Sequence, residues 1–177
     1  MAGRVSIRAA AAGDAAAIAR VQVETWRTTY RGIVPEAHLA GLKMDQRTLR
    51  WRELLQSPAH ALVAECQGEV VGFITGGAIR EPLEGYRAEL YAMYLLLAFQ
   101  RRGIGTALLE ELARRLSAEG FENLAVWVLE ANPAVHFYER SGAVRLAARE
   151  HEIGGARLPL VGYGWPDLRA IISRAEA

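Results

Sequence analysis

The 177-residue sequence lacks several features that mark particular classes of protein. It has one cysteine, Cys66, which excludes an intrachain disulfide. It also has no apolar run of about 18 residues, which argues against a membrane-spanning helix. Neither sign of charge is in excess, since 21 Lys and Arg stand against 20 Asp and Glu, so nothing global favours nucleic acid or an anionic membrane as partner. The first residues carry no signal-peptide stretch, and a cytoplasmic location is expected.

Several ligand-binding motifs are missing as well. The histidines show no metal-ligand spacing, and we expect no metal. The chain has no Gly-Lys-Ser/Thr triplet, which excludes a P-loop. A Rossmann dinucleotide site would need a third glycine where this sequence has Leu108.

The composition that is present fits one folded domain. Apolar residues make up 51% of the chain, enough for a substantial core, and no repeat or low-complexity segment divides it. We therefore expect a single domain over residues 1–177, of the α/β class. Residues 166–177 are expected to form a frayed helical tail.

The periodicity of apolar residues predicts helices and strands in alternation. Asp14 is predicted to cap a helix over 15–29. Strands are expected near 5–8, 60–66, 69–79, 88–96, 123–128, 144–152 and 158–165, and further helices near 35–42, 45–55, 105–119 and 132–141.

The most informative segment is residues 100–105, Gln-Arg-Arg-Gly-Ile-Gly, between an apolar strand and an amphipathic helix. Gly103 and Gly105 have no Cβ atom, so backbone N–H groups can point at an oxyanion. The start of the following helix adds unpaired N–H groups and the positive end of its dipole. Arg101 and Arg102 offer charge-assisted hydrogen bonds. The segment is typical of a pyrophosphate site, although a structural glycine turn alone would share the Gly-x-Gly pattern.

At this point the chain resembles the GNAT superfamily of acetyl-CoA-dependent N-acetyltransferases. Residues 100–105 match the family's Gln/Arg-x-x-Gly-x-Gly/Ala motif, and residues 132–143 look like its last conserved region, with an asparagine, Phe-Tyr-Glu and a closing glycine. The resemblance implies a mixed, mostly antiparallel seven-stranded sheet flanked by helices, with the fourth and fifth strands splayed. The cofactor's pantetheine arm would enter between them.

By the same resemblance, the co-substrate is acetyl-CoA. The backbone amides of Tyr94 and Leu95 would pair with pantetheine, and Asn132 would cap a short helix and contact the cofactor arm. The residues expected at the cofactor's phosphates are those of the loop and the first helical turn: Gln100, Arg101, Arg102, Gly103, Ile104, Gly105 and Thr106.

Two residues are expected to move protons. Tyr138 occupies the position of the family's tyrosine near the cofactor sulfur, and a phenol with pKa about 10 can protonate a departing thiolate. Glu89 lies on the fourth strand, where several family members carry a general base that acts through water. Glu130, just beyond the fifth strand, is the competing candidate for the base.

The acceptor pocket is expected to include Tyr30 and Arg31, beside a helix-breaking glycine, together with Tyr91 and Glu130. Trp26 has the spacing of a core residue more than that of a pocket residue.

The resemblance implies direct attack of a primary amine on acetyl-CoA in a ternary complex, since Cys66 is far in sequence from the motifs. A small-molecule amine is the expected acceptor. The alternatives are a protein N-terminus or lysine, and a non-catalytic acyl-CoA sensor. A homodimer is a further possibility.

Overall fold

The structure is a computed structural model, and it describes residues 4–173. Its centre is one seven-stranded sheet in the order β1-β2-β3-β4-β5-β7-β6. All neighbouring strands are antiparallel except β4 and β5, which are parallel. The strands are β1 (Val5–Ala9), β2 (His60–Cys66), β3 (Glu69–Ala78), β4 (Ala88–Leu95), β5 (Leu124–Leu129), β6 (Val144–Ile153) and β7 (Ala156–Trp165).

Helices cover both faces of this sheet. The helices are α1 (Ala15–Thr29), α2 (Glu36–Ala40), α3 (Met44–Leu54), α4 (Ile104–Ala118), α5 (Ala134–Arg140) and α6 (Leu168–Ser173). The larger apolar cluster joins the sheet to α4 and α6, and a second joins it to α1 and α3. In α4, every fourth residue from Ile104 to Leu116 is at most 4% exposed, which confirms the predicted apolar face.

The predicted fold class is therefore confirmed, and the predicted elements lie close to the observed ones. The short helices are less accurately predicted at their ends, because capping turns extend a pattern without making it helical. The expected frayed tail differs from the structure. Leu168 and Ile171 of α6 are at most 3% exposed and pack in the main core, while residues 174–177 lie outside the described part.

Asp14 does not cap α1 in the predicted way. It ends a 3-10 turn, Ala12–Asp14, and its carboxylate accepts the backbone N–H of Ala11 at 2.7 Å. Both carboxylate oxygens also accept from the Arg8 guanidinium, at 2.8 and 2.9 Å. Since Arg8 also binds Glu65 on β2, Asp14 ties the start of α1 to the sheet.

Candidate active site

A cavity of about 1020 Å³ opens where β4 and β5 separate. The two strands pair only at Glu89–Ala125 and Leu90–Val126, although β4 continues to Leu95 and β5 to Leu129. A β-bulge in β4 falls at the next residue, Tyr91, between the Leu90 and Ala92 pairs with β3. Bulges bend a strand and end pairing. The predicted splay is confirmed, and the bulge marks where it begins.

The gap exposes backbone groups of β4. The Leu96 N–H donates to Val71 O at 2.9 Å, towards β3. Because successive residues of a strand direct their N–H groups to opposite sides, Tyr94 also faces β3, whereas Met93 and Leu95 face the gap. The backbone N–H of Leu95 therefore has the direction expected of a group that pairs with pantetheine. The N–H of Tyr94 does not, and the second N–H on the gap side is that of Met93. The Leu95 carbonyl already accepts from Gln100 Nε2 at 3.0 Å.

One end of the cavity is formed by the predicted phosphate loop. A 3-10 turn, Leu97–Phe99, leads into it, and Arg101 and Gly103 take the left-handed φ values of 62° and 77°. Helix α4 then begins at Ile104, and no side chain among residues 4–173 caps its first turn. Its first N–H groups therefore remain open to an anion, as a helix N-terminus in a phosphate site requires.

The residues of this loop divide into those that line the cavity and those whose side chains point elsewhere. Gln100, Arg101, Gly103, Gly105 and Thr106 line the cavity. The other two point elsewhere: the Arg102 guanidinium lies over the Phe99 ring at 5.3 Å, and the Ile104 side chain is buried in the core. Any contribution of Ile104 to a phosphate must come from its backbone N–H.

Tyr138 lies on α5, lines the cavity and is 4% exposed. Its ring packs edge-on against Trp165, with the ring centroids 5.6 Å apart. Burial, and secondarily the nearby Tyr94, raises the pKa of Tyr138 above its usual value. The phenol therefore stays protonated at neutral pH and is available as a proton donor.

Asn132 links two parts of the site that are far apart in sequence. Its Oδ1 accepts the N–H of Ala134 at 2.9 Å, which confirms the predicted capping of α5. Its Nδ2 donates to the Tyr30 hydroxyl at 3.0 Å, in a buried position. Asn132 thus holds the end of α1 against the helix that carries Tyr138.

Glu89 lines the cavity and is 4% exposed, but its carboxylate is already engaged. It accepts the backbone N–H groups of Arg80 and Glu81, at 2.8 and 3.1 Å, and the Arg80 guanidinium at 3.1 Å. A carboxylate has about four acceptor positions, so one remains for water or substrate. These contacts fix the turn after β3, a positioning role that the sequence did not predict.

Two of the predicted acceptor residues lie apart from the cavity lining. Glu130 forms an ion pair with Arg145 at 2.7 Å on the surface, and its side chain is 45% exposed. Arg31 is exposed in the bridge to Val34 after α1. Both follow the end of a secondary-structure element, where a sequence pattern does not determine the direction of a side chain. Tyr30 and Tyr91 do line the cavity.

The acceptor end also contains side chains that the sequence analysis missed. Arg149 of β6 lies 4.3 Å from the Trp127 ring centre and pairs with Glu81 at 3.1 Å. The Arg80 guanidinium similarly lies 3.5 Å from the Tyr91 ring centre. These residues come from the turn after β3 and from β4, β5 and β6, and they share no local motif, so only the fold brings them together.

Trp26, which the spacing favoured as core, lines the cavity beside Tyr30, with their ring centroids 4.6 Å apart. It also packs against the apolar cluster beneath α2. Trp26 therefore contributes both to the apolar core and to the lining of the cavity.

Three tyrosines line the same cavity: Tyr30 at the end of α1, Tyr94 on β4 and Tyr138 on α5. The Tyr94 ring packs against Phe73, with ring centroids 5.6 Å apart. Burial is the main cause that raises the pKa of each. The sequence predicted a role for each of them.

Residues 4–173 contain no group of three or more His, Cys, Asp or Glu side chains arranged to hold a metal ion. No helix in this part of the chain has the length and apolar character needed to cross a bilayer.

Comparisons with known proteins agree with this geometry. The model of the acetyltransferase (GNAT) family matches residues 21–143. The N-acetyltransferase YuaI of Bacillus subtilis is 43% identical over 168 residues, covering 94% of this chain and 96% of YuaI.

Solved structures show the same fold. A GCN5-related N-acetyltransferase from Rhodopseudomonas palustris has a TM-score of 0.74 at 21% identity, covering 94% of this chain and 98% of its own. The paiA N-acetyltransferase from Thermoplasma acidophilum, solved with coenzyme A, has a TM-score of 0.68 at 21% identity. The match covers 92% of this chain and 99% of the paiA chain. With the family match over most of the sequence, the splayed sheet and the phosphate loop identify this chain as a member of the GNAT family of acetyltransferases.

Proposed function

We propose that the protein transfers the acetyl group of acetyl-CoA to the nitrogen of a small primary amine by direct attack in a ternary complex. The observation that supports this most strongly is the continuous cavity. It runs from the open N–H groups of α4, through the gap between β4 and β5, to a pocket lined by aromatic and charged side chains.

The cofactor end suits the parts of acetyl-CoA in order. The pyrophosphate would lie at the loop 103–106, where backbone N–H groups and the Arg101 charge are available. The pantetheine arm would lie along β4, whose backbone at Met93 and Leu95 has no paired strand on the β5 side. The paiA structure with coenzyme A has the same fold, which supports this orientation.

The chemistry needs a polarised thioester and a proton for the departing sulfur. A β4 N–H facing the gap can donate to the developing oxyanion. Tyr138 is the proposed proton donor to sulfur, since its raised pKa keeps it protonated. No cysteine enters the proposal, because Cys66 is buried on β2.

The acceptor end favours a small molecule. Trp26, Trp127 and Tyr91 surround it, and the turn between β6 and β7 closes over α2, where a Cβ on Gly154 would lie 2.7 Å from His38 Cβ. A pocket with aromatic walls fits a compact amine better than a protein segment. Acetylation of a protein N-terminus or lysine is the second candidate.

A coupled assay tests the proposal. Purified protein is incubated with acetyl-CoA and a panel of small amines, amino acids and peptides, while free-thiol release is followed and products are detected by mass. We expect thiol release that depends on an amine and an acetylated small-molecule product. Tight acetyl-CoA binding without turnover on any acceptor would instead indicate a sensor, and acetylation of peptides alone would indicate the second candidate.

A further inference from the structure

Two arginines line the acceptor end of the cavity, and each lies over an aromatic ring. The Arg80 guanidinium is 3.5 Å from the centre of the Tyr91 ring, and the Arg149 guanidinium is 4.3 Å from the centre of the Trp127 ring. A guanidinium held over a ring face keeps its N–H edges available for hydrogen bonds. The wall of the cavity therefore carries two positive groups in defined places.

The rings beneath the arginines are themselves anchored to one short segment. The Tyr91 hydroxyl donates to the carbonyl of Ala78 at 2.6 Å, and Trp127 Nε1 donates to the carbonyl of Glu81 at 3.4 Å. Ala78 ends β3 and Glu81 lies in the turn that follows it, so rings from β4 and β5 are bound to the same turn. A site ordered before its ligand arrives loses less entropy on binding.

The nearby carboxylates are engaged by the protein, whereas the guanidiniums keep donors to spare. Glu89 is 4% exposed and accepts from the Arg80 and Glu81 backbone and from the Arg80 guanidinium, which fills three of its roughly four acceptor positions. Glu81 accepts from Arg149 at 3.1 Å. Each guanidinium has five N–H donors, and within residues 4–173 one donor of each is hydrogen-bonded. The unused donors outnumber the unused acceptors, so this end of the cavity suits an anion.

The anion site lies within reach of the proposed thioester. Tyr91 and Met93 are two residues apart on β4, or about 7 Å along an extended strand. The N–H of Met93 faces the gap in which the pantetheine arm is proposed to lie. A small molecule with an anion at one end and an amine at the other can span such a distance.

We infer that the acceptor amine carries an oxyanion, either a carboxylate or a phosphonate, and that Arg80 and Arg149 bind this group while the amine reaches the thioester. The inference rests on the proposed acetyl transfer and narrows its acceptor. An arginine fork binds two oxygens of one carboxylate or phosphonate with parallel hydrogen bonds. Amino acids and aminophosphonates are therefore selected over diamines and over amines without an anion.

The substrate side is tested with pairs of acceptors. Each of a panel of L-amino acids is compared with its own carboxamide, which keeps the size and lacks the negative charge. The compound 2-aminoethylphosphonate is compared with ethanolamine, and putrescine serves as the cationic acceptor. Thiol release is followed at saturating acetyl-CoA. We expect kcat/KM for at least one anionic acceptor to exceed that of its partner by about tenfold or more, and the pair that shows this identifies carboxylate or phosphonate.

The protein side is tested with arginine variants. Arg149→Gln and Arg80→Gln should each raise KM for the preferred anionic acceptor about 10- to 100-fold and abolish its advantage over its partner, with acetyl-CoA affinity retained in calorimetry. A merely structural role would lower both acceptors equally. The matched control is Arg145→Gln, also on β6, since Arg145 pairs with Glu130 outside the cavity lining. Arg80 also neutralises the buried Glu89, so if Arg80→Gln does not fold, Arg149→Gln decides.

Glu81→Gln separates recognition of an anion from recognition of a cation. It removes the negative charge beside Arg149, so KM for an anionic acceptor should not rise, whereas a diamine held by Glu81 would bind more weakly. A parent that acetylates amines without preferring the anionic acceptor, or that prefers putrescine, would overturn the inference and leave acetyl transfer standing. So would an Arg149→Gln variant that keeps the parent's preference, or a rise in KM in Glu81→Gln. A parent that acetylates no amine would overturn the proposed function and this inference with it.

Discussion

The two ends of the cavity are constructed differently. The proposed phosphate end is formed by consecutive residues 100–106, which offer mainly backbone N–H groups at the start of α4. The acceptor end is formed by side chains from α1, the turn after β3, β4, β5 and β6. A ligand at the first end would meet a fixed backbone geometry, whereas a ligand at the second would meet side chains that vary independently. Substitutions at the two ends should therefore affect different steps.

Tyr138→Phe, between the two ends, should have the largest effect. Removing the hydroxyl takes away the proposed proton donor, so kcat should fall by about 10²–10⁴-fold. The ring contacts with Trp165 and Phe137 remain, so acetyl-CoA affinity should be retained. Steady-state kinetics with calorimetry checks both values. A kcat near that of the parent would make Tyr138 a packing residue.

Gly105→Ala should weaken acetyl-CoA binding at least about tenfold, or about 1.4 kcal/mol, because a methyl group would crowd the pyrophosphate. The added Cβ would lie 3.6 Å from Phe137, an ordinary contact, so the fold should tolerate it. Gly103→Ala is a less specific probe, since its φ of 77° strains any residue with a Cβ. Calorimetry that finds unchanged affinity for Gly105→Ala would place the pyrophosphate elsewhere.

Arg101 and Arg102 provide a matched pair within the phosphate end. Arg101 lines the cavity and Arg102 lies over Phe99, so Arg101→Ala should cost about 1 kcal/mol of affinity and flatten its salt dependence. Arg102→Ala should lower the affinity less and should change its salt dependence less. Titrations of acetyl-CoA at several ionic strengths test the difference, and equal salt slopes in the two variants and the parent would leave both arginines without a phosphate contact.

Asp14→Asn should leave both ends of the cavity unchanged and affect only the scaffold. Hydrogen bonding to Arg8 lowers the pKa of Asp14, so its stabilisation is present above the unfolded pKa, about 3.9, and is lost as pH falls below it. The variant should lose about 1 kcal/mol at neutral pH, a modest value because Arg8 is 40% exposed. Urea unfolding at pH 7 and near pH 3 should show this difference shrinking in acid. A difference that does not depend on pH would contradict the ion-pair explanation.

The same contrast explains what the sequence could predict. The phosphate loop follows from local patterns, because glycines, apolar periodicity and an open helix start are encoded within a few residues. The splayed sheet was expected from the family resemblance that these motifs carry. The capping role of Asn132 was predictable for the same reason.

The acceptor end was less predictable because its contacts depend on tertiary structure. The bond between Asn132 and Tyr30 spans 102 residues, and the Arg149–Glu81 pair spans 68. The bulge at Tyr91 and the surface position of Glu130 depend on pairing between strands. No spacing rule in the sequence encodes such contacts.

The most direct test of the division between the two ends is to measure acetyl-CoA affinity and single-turnover rate in the same two variants. Gly105→Ala should weaken affinity and, at saturating acetyl-CoA, acetylate the amine at a rate near that of the parent. Tyr138→Phe should bind acetyl-CoA as the parent does and turn over slowly. If both variants lost affinity and rate together, the cavity would act as one unit, and the separation of cofactor binding from chemistry would be wrong.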